Sequence, residues 1–207
     1  MKRLIIFIVA ATFIFIGEMD AMAIEEAPFN VVKKEGIFEI RDYATHILAE
    51  TIVEGGLEDA GSKAFNRLFR YISGENRSKI KVPMTAPVSQ SSTGEKIRMT
   101  APVGQQNLQG KWAVSFMMPA VYTMETLPEP VDPEVTLRQV PSRRMAVVRY
   151  SGFWSEKAYL RYMSKLELWI KANGLTVFGD PVWARYNPPF TLWFLRRNEI
   201  LIPVEAD

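Results

Sequence analysis

Phe38-Glu39-Ile40-Arg41-Asp42-Tyr43, then His46-Ile47-Leu48-Ala49-Glu50-Thr51-Ile52-Val53, then the break Gly55-Gly56, form the stretch from which the fold is read. Both runs are rich in β-branched and aromatic residues and alternate at period two in places, which is strand chemistry. After the glycines, Leu57, Ala60, Ala64, Leu68, Tyr71 and Ile72 recur at steps of three and four. That spacing gathers them on one face of a helix, predicted to stop near Gly74. Residues 80–88 are extended again.

The same order returns downstream. Residues 135–140 and 144–150 have strand character, and Ser151-Gly152 breaks them. A helix capped by Ser155 follows, with Ala158, Tyr162, Leu166 and Trp169 at helical spacing and Gly174 at its end. Residues 182–186 and 191–196 are strand-like, and 199–204 closes the sheet. Two β-α-β-β units of similar size predict a pseudo-twofold α+β fold whose curved sheet carries one helix per half. Residues 122–133, rich in proline and acidic side chains, serve as the linker between halves.

The chain has 207 residues, 48% hydrophobic and 12% aromatic, enough for one sizeable core and short for two. A charged fraction of 23% and a net charge of +2 are ordinary, and the basic residues form no clustered stripe. Nucleic acid is therefore not an expected partner. Lys2 and Arg3 precede an apolar run over 4–16, and Ala21-Met22-Ala23 offers a small-x-small cleavage pattern. This predicts a signal peptide over 1–23 and an exported domain over 24–207, periplasmic or secreted and monomeric. The alternative is an uncleaved anchor, the one route to a membrane in this reading, although the run is shorter than the ~20 residues of a spanning helix. The chain has no cysteine. Disulfides, thiolate zinc sites, covalent c-type haem attachment and a cysteine nucleophile are all excluded.

A shorter repeat lies inside the first half: Met84-Thr85-Ala86-Pro87-Val88 recurs as Met99-Thr100-Ala101-Pro102-Val103. Each proline lacks a ladder donor, so each arm is expected to run along a sheet edge or to leave the sheet there.

Six strings carry a family resemblance: Phe38 to Tyr43, Lys81-Val82-Pro83-Met84-Thr85-Ala86-Pro87-Val88, Phe116-Met117-Met118-Pro119, Arg149-Tyr150-Ser151-Gly152-Phe153, Tyr186-Asn187-Pro188-Pro189 and Arg196-Arg197-Asn198-Glu199-Ile200. In this order and spacing they resemble the SOUL family of haem-binding proteins, over about residues 29–203. The resemblance implies a distorted β-barrel made of two pseudo-symmetric β-α-β-β repeats with two outer helices, similar to effector-binding domains. It also implies reversible, non-covalent and non-catalytic binding of haem or a related tetrapyrrole.

A porphyrin needs a wide apolar slot, cations for its propionates and, optionally, an axial ligand. Met84 and Met99 suit such a slot, although methionines more often belong to plain core. His46 is the single histidine and so the one imidazole available to iron, the alternative being an ordinary strand residue. Some family members carry a His after the Glu-Ile-Arg of the first strand; the matching position here is Asp42, a poorer ligand, so any ligation is expected to be weak. His46 lies four residues on, an even offset that keeps it on the same face of a continuous strand. The family's first-helix contact region matches Ser62, Lys63, Phe65, Asn66 and Phe69, with Phe65 and Phe69 stacked four apart beside Lys63 and Arg70. Both Phe would equally suit a broad core face. Some members have a basic residue after the Pro-Pro, where this chain has Thr191. Arg196 and Arg197 either bind propionates or fix a turn by pairing with Glu199.

No Gly-x-Ser-x-Gly, His-Glu-x-x-His or phosphate-loop pattern is present, so no enzyme is expected. Two other readings stay open: a binding module for another flat hydrophobic molecule, and a protein-interaction module using the Pro-containing arms.

Overall fold

The computed structural model describes residues 24–79 and 94–205. The predicted signal segment, Met84 and the first Met-Thr-Ala-Pro-Val arm lie outside the described residues. The first half contains β1 (Phe29–Glu35), β2 (Phe38–Tyr43), β3 (His46–Glu54), α1 (Leu57–Ser73), β4 (Asn76–Arg77), β5 (Val103–Leu108) and β6 (Lys111–Met117). After the short β7 (Glu129–Pro130) come β8 (Thr136–Val140), β9 (Arg143–Tyr150), α2 (Glu156–Ala172), β10 (Val182–Arg185) and β11 (Asn198–Pro203).

Nine strands form one antiparallel sheet in the order β1-β2-β9-β11-β10-β5-β6-β3-β8. The sheet is curled into a half-barrel. Leaving aside β1, exchanging β2 with β8, β3 with β9, β5 with β10 and β6 with β11 reverses this order and leaves it unchanged. The two halves are thus related by a pseudo-twofold axis between β5 and β10. Each half is completed by the other, because β2 pairs with β9 and β8 pairs with β3.

Both helices cover the same face of the sheet. α1 lies on β3 and β6, and α2 lies on β9 and β11. Strand alternation divides the side chains accordingly. Ala146 and Val148 join Leu166, Trp169, Ile170, Trp183, Ile200 and Ile202 under α2. Ala49, Val114 and Phe116 join Ala64, Leu68, Tyr71 and Ile72 under α1. The other parity, including Met117, Met145, Val147, Ala184 and Leu201, forms a third core on the opposite face.

The helix ends follow the sequence signals. Gly74 adopts φ +119°, the left-handed cap that glycine takes without a Cβ penalty. Ser155 Oγ accepts from the Ala158 N–H at 3.3 Å. Replacing Ser155 by Ala is expected to cost about 1 kcal/mol, measured as a lower denaturant midpoint at unchanged slope. No described helix is long and apolar enough to cross a membrane.

Of four local expectations, three are corrected. Residues 191–196 do not form a strand; Trp193–Leu195 is a 3-10 turn. Pro188 and Pro189 supply no ladder donors, and the Arg196 guanidinium ties the carbonyls of Pro189 and Thr191 at 2.6 and 2.7 Å. Asp42 and His46 do not share a strand: Ala44 and Thr45 turn the chain, and β2 and β3 join different parts of the sheet. The second arm is outside the sheet at Pro102, the second of its two expected forms, and joins it only from Val103, between β10 and β6. Residues 122–133 are more than a linker. Leu127 is fully buried, Tyr71 Oη donates to the Pro128 carbonyl at 2.8 Å, and β7 pairs with β4.

Candidate ligand-binding site

Where the halves meet, on the helix side of the sheet, lies an open groove of about 640 Å³. α1 forms one wall through Gly61, Ser62, Phe65 and Asn66, the face next to its buried Ala60/Ala64/Leu68 stripe. The facing wall is the chain leaving β10, from Arg185 to Phe190, with Trp154 from the connection into α2. Met99, Thr100, Ala101, Val103 and Ile24 complete it. A volume of this size falls in the usual range for small-molecule sites, ~300–1,000 Å³.

The polar groups of the groove are few and fixed. Arg185 Nη2 donates to Gln105 Oε1 at 2.6 Å, and Gln105 Nε2 donates to the Leu57 carbonyl at 2.7 Å. The guanidinium also lies over the rings of Trp183 and Trp154, at 4.2 and 5.2 Å from their centroids. Gly61 makes room for it, since a Cβ there would stand 3.0 Å from Arg185 Nη1. Trp154 Nε1 is buried and has no hydrogen-bond partner. Phe65 stacks on Phe69 with centroids 5.9 Å apart and meets Phe116 edge-on at 5.3 Å. A planar apolar molecule with an anionic substituent finds here aromatic and thioether walls and one anchored cation. These residues fit a porphyrin.

Of the residues singled out in the sequence, Ser62, Phe65, Asn66 and Met99 line this groove together. Phe69 extends the aromatic stripe beyond it, half exposed. Lys63 is exposed and turned away from the lining. Arg70 is engaged with Glu75 and Asp132.

His46 is elsewhere. It shares strand parity with Leu48 and Glu50, while Ile47 and Ala49 face α1, so the sheet separates its ring from the helix residues. It borders two smaller cavities, of about 90 and 290 Å³, the first sharing Tyr186 with the groove. Its Nδ1 lies 2.9 Å from the Ala44 carbonyl. Burial, then the charges of Arg143 and Arg138, hold its pKa below the usual value despite the Ala44 contact. Neutral His46 donating through Nδ1 keeps an acceptor lone pair on Nε2. Among the described residues no group of three His, Asp or Glu side chains is arranged to hold a metal ion.

The two arginines before Glu199 are structural. Arg196 fixes the 189–191 carbonyls, as described above. Arg197 Nε donates to Glu199 at 2.9 Å, and its Nη1 pairs with Glu26 at 2.7 Å. Glu199, fully buried, also accepts from Arg41 at 2.7 and 3.0 Å and from Tyr186 Oη at 2.8 Å.

Arg185, Trp154, Asn187 and Phe190 were not singled out as site residues from sequence. The signal was present in part: the Tyr186-Asn187-Pro188-Pro189 string ends a strand abruptly beside an aromatic, which forces an irregular wall.

The sequence model of the family described as "SOUL heme-binding protein" matches residues 24–203. The human protein named "Heme-binding protein 2" is 26% identical over 184 residues, covering 84% of this chain and 85% of that protein. "Heme-binding protein 1" of Xenopus tropicalis is 24% identical, covering 80% and 87%. Among solved structures, a Listeria innocua protein titled a hydrolase superposes with a TM-score of 0.55 at 12% identity, covering 84% of this chain and 94% of that one. At that identity the likeness concerns the fold alone. The family match extends over nearly the whole described fold, both walls of the groove included, and the chain belongs to the SOUL heme-binding protein family.

Proposed function

We propose that this protein binds haem or a related tetrapyrrole reversibly, without catalysis, in the groove between α1 and residues 185–190. The observation that carries this reading is an apolar cleft of about 640 Å³ with Arg185 anchored in its wall. Phe65, Met99, Trp154 and Phe190 hold the ring, and Arg185 takes one propionate while the other stays in solvent. With no cysteine in the chain, no thioether attachment can form, which supports non-covalent binding. Affinity comes from the cleft and not from iron ligation, because His46 is on the far side of the sheet. Residues 1–23 serve as an export signal, which the basic pair, the apolar run and Ala21-Met22-Ala23 support.

Titration with haemin tests the reading. Wild type and His46→Ala are both expected to saturate at one equivalent with a shifted Soret band, with Kd values within about three-fold. Loss of binding in His46→Ala would place the site on the opposite face and overturn the groove assignment. No saturation with haemin, with Trp emission responding to another flat apolar compound, would support the other-ligand reading.

A further inference from the structure

The turn that failed to become a strand leaves an unusual surface. Phe153, Phe190, Leu192, Trp193, Phe194 and Leu195 are each at least half exposed, Phe190 at 86%. They are contiguous: Trp193 stacks on Phe153 at 5.6 Å and meets Phe194 edge-on at 5.5 Å. Single exposed apolar residues are ordinary, but a cluster of aromatic and leucine side chains on one short turn marks an interaction surface. We propose that this turn is a membrane-docking wedge, which seats the rim of the groove in the interface of a lipid bilayer.

Four observations favour a bilayer over a protein groove. First, apart from Phe190, the wedge side chains project from a 3-10 turn and a helix-entry loop and are not part of the groove lining.

Second, the turn is preformed. Arg196 holds the Pro189 and Thr191 carbonyls, Asn187 Oδ1 accepts the Arg197 N–H at 2.6 Å, and the Leu195 N–H reaches the Leu192 carbonyl at 2.9 Å. A floppy apolar loop would fold back on the protein. This one is held outward, so docking orders little.

Third, its charge suits a lipid surface. Between Asp180 and Glu199 the sequence has three arginines and no carboxylate; Arg185 and Arg197 are engaged by Gln105, Glu26 and Glu199, which leaves Arg196 as the cation of the wedge. Arg196 sits at the base of the wedge, stacked over Phe153 and Trp154, and its Nη1 makes no hydrogen bond among the described residues, which suits a headgroup phosphate. Tryptophan beside phenylalanine and leucine is the composition that settles at the headgroup boundary.

Fourth, Ile24 shares the groove with Phe190. The wedge is thus continuous with the rim of the groove through Phe190. A groove opening at the bilayer would exchange an apolar ligand with the membrane without carrying it through water.

The test uses the full-length, ligand-free protein, so it is independent of what the groove holds. Protein is mixed with phosphatidylcholine–phosphatidylglycerol vesicles whose acyl chains carry bromine, a contact quencher of indole. Of the five tryptophans, Trp193 is the exposed one. Wild-type emission is expected to fall on mixing, with the fall about five-fold smaller in Trp193→Phe. The Leu192→Ser/Phe194→Ser/Leu195→Ser variant keeps Trp193 and spares the groove lining; it too should lose most of the quenching. Equal quenching in wild type and Trp193→Phe, or none in wild type, overturns the proposal. So does a wild-type dimer that ignores vesicles and becomes monomeric in the triple variant, which would make the face a contact between copies.

Discussion

Glu199→Ala is expected to destabilise the protein by about 3–5 kcal/mol, the range for removing one partner of a buried ion pair. Glu199 is wholly buried, and its carboxylate is the meeting point of Arg41, Arg197 and Tyr186. Arg41 is itself 2% exposed. Without Glu199 its guanidinium would keep Glu39 and Tyr43 but lose the bidentate partner that offsets its desolvation. Small domains have ~5–15 kcal/mol in all, so this change removes a large share. The double variant Arg41→Met/Glu199→Leu should be less destabilised than Glu199→Ala, since the most deeply buried charge is gone while Glu39 keeps Lys34 and Arg197 keeps Glu26. Denaturant melts of the three proteins measure both effects. A loss below about 1 kcal/mol in Glu199→Ala would show that the cluster is not structural.

The same carboxylate gives a pH signature. Burial pushes the Glu199 pKa up, but the hydrogen bonds and charge of Arg41, with those of Arg197, outweigh it, and the net shift is below the ordinary 4.5. The folded state therefore binds this proton less readily than the unfolded chain. Its contribution is present above pH ~4.5 and disappears as pH falls through the folded value. Glu199→Ala should lack that component of acid sensitivity.

The fold was legible because both of its periodicities are strong. Alternation in 38–43 and 46–53, helical spacing from Leu57 to Ile72, and the repeat of this order after 135 carry β2, β3, α1, β8, β9 and α2, whereas β1, β5 and β6 are not read from periodicity. What escaped was set by tertiary contacts. Leu192 to Leu195 is a run of four large apolar residues, and composition alone assigns it to a strand. Two prolines and the long reach of Arg196 decide otherwise. Likewise the even offset from Asp42 to His46 predicts one face only if no turn intervenes.

The site was half legible. The helix wall follows from spacing, because Ser62, Phe65 and Asn66 flank the buried stripe of α1 at fixed angles. The facing wall lies far along the chain, at Trp154 and at 185–190, and the pseudo-twofold arrangement brings Arg185 and Trp154 to it. His46 was weighed as a ligand for its chemistry. Strand parity, legible only once β3 is registered between β6 and β8, sets it on the other face.

Ser62→Trp is expected to weaken haemin binding by about 30- to 100-fold, some 2–3 kcal/mol, while leaving stability within ~0.5 kcal/mol. Ser62 is exposed on α1 and borders the groove, so an indole there finds no core to disturb and lies across the space a flat ligand needs. Lys63→Trp is the matched control: the same bulk, one residue on, outside the lining. If the groove is the site, the first variant loses the saturable Soret change and the second keeps it within a few-fold. Equal binding by both would remove the groove from consideration, because no arrangement of α1 admits a planar ligand between Phe65 and Phe190 while ignoring an indole at position 62.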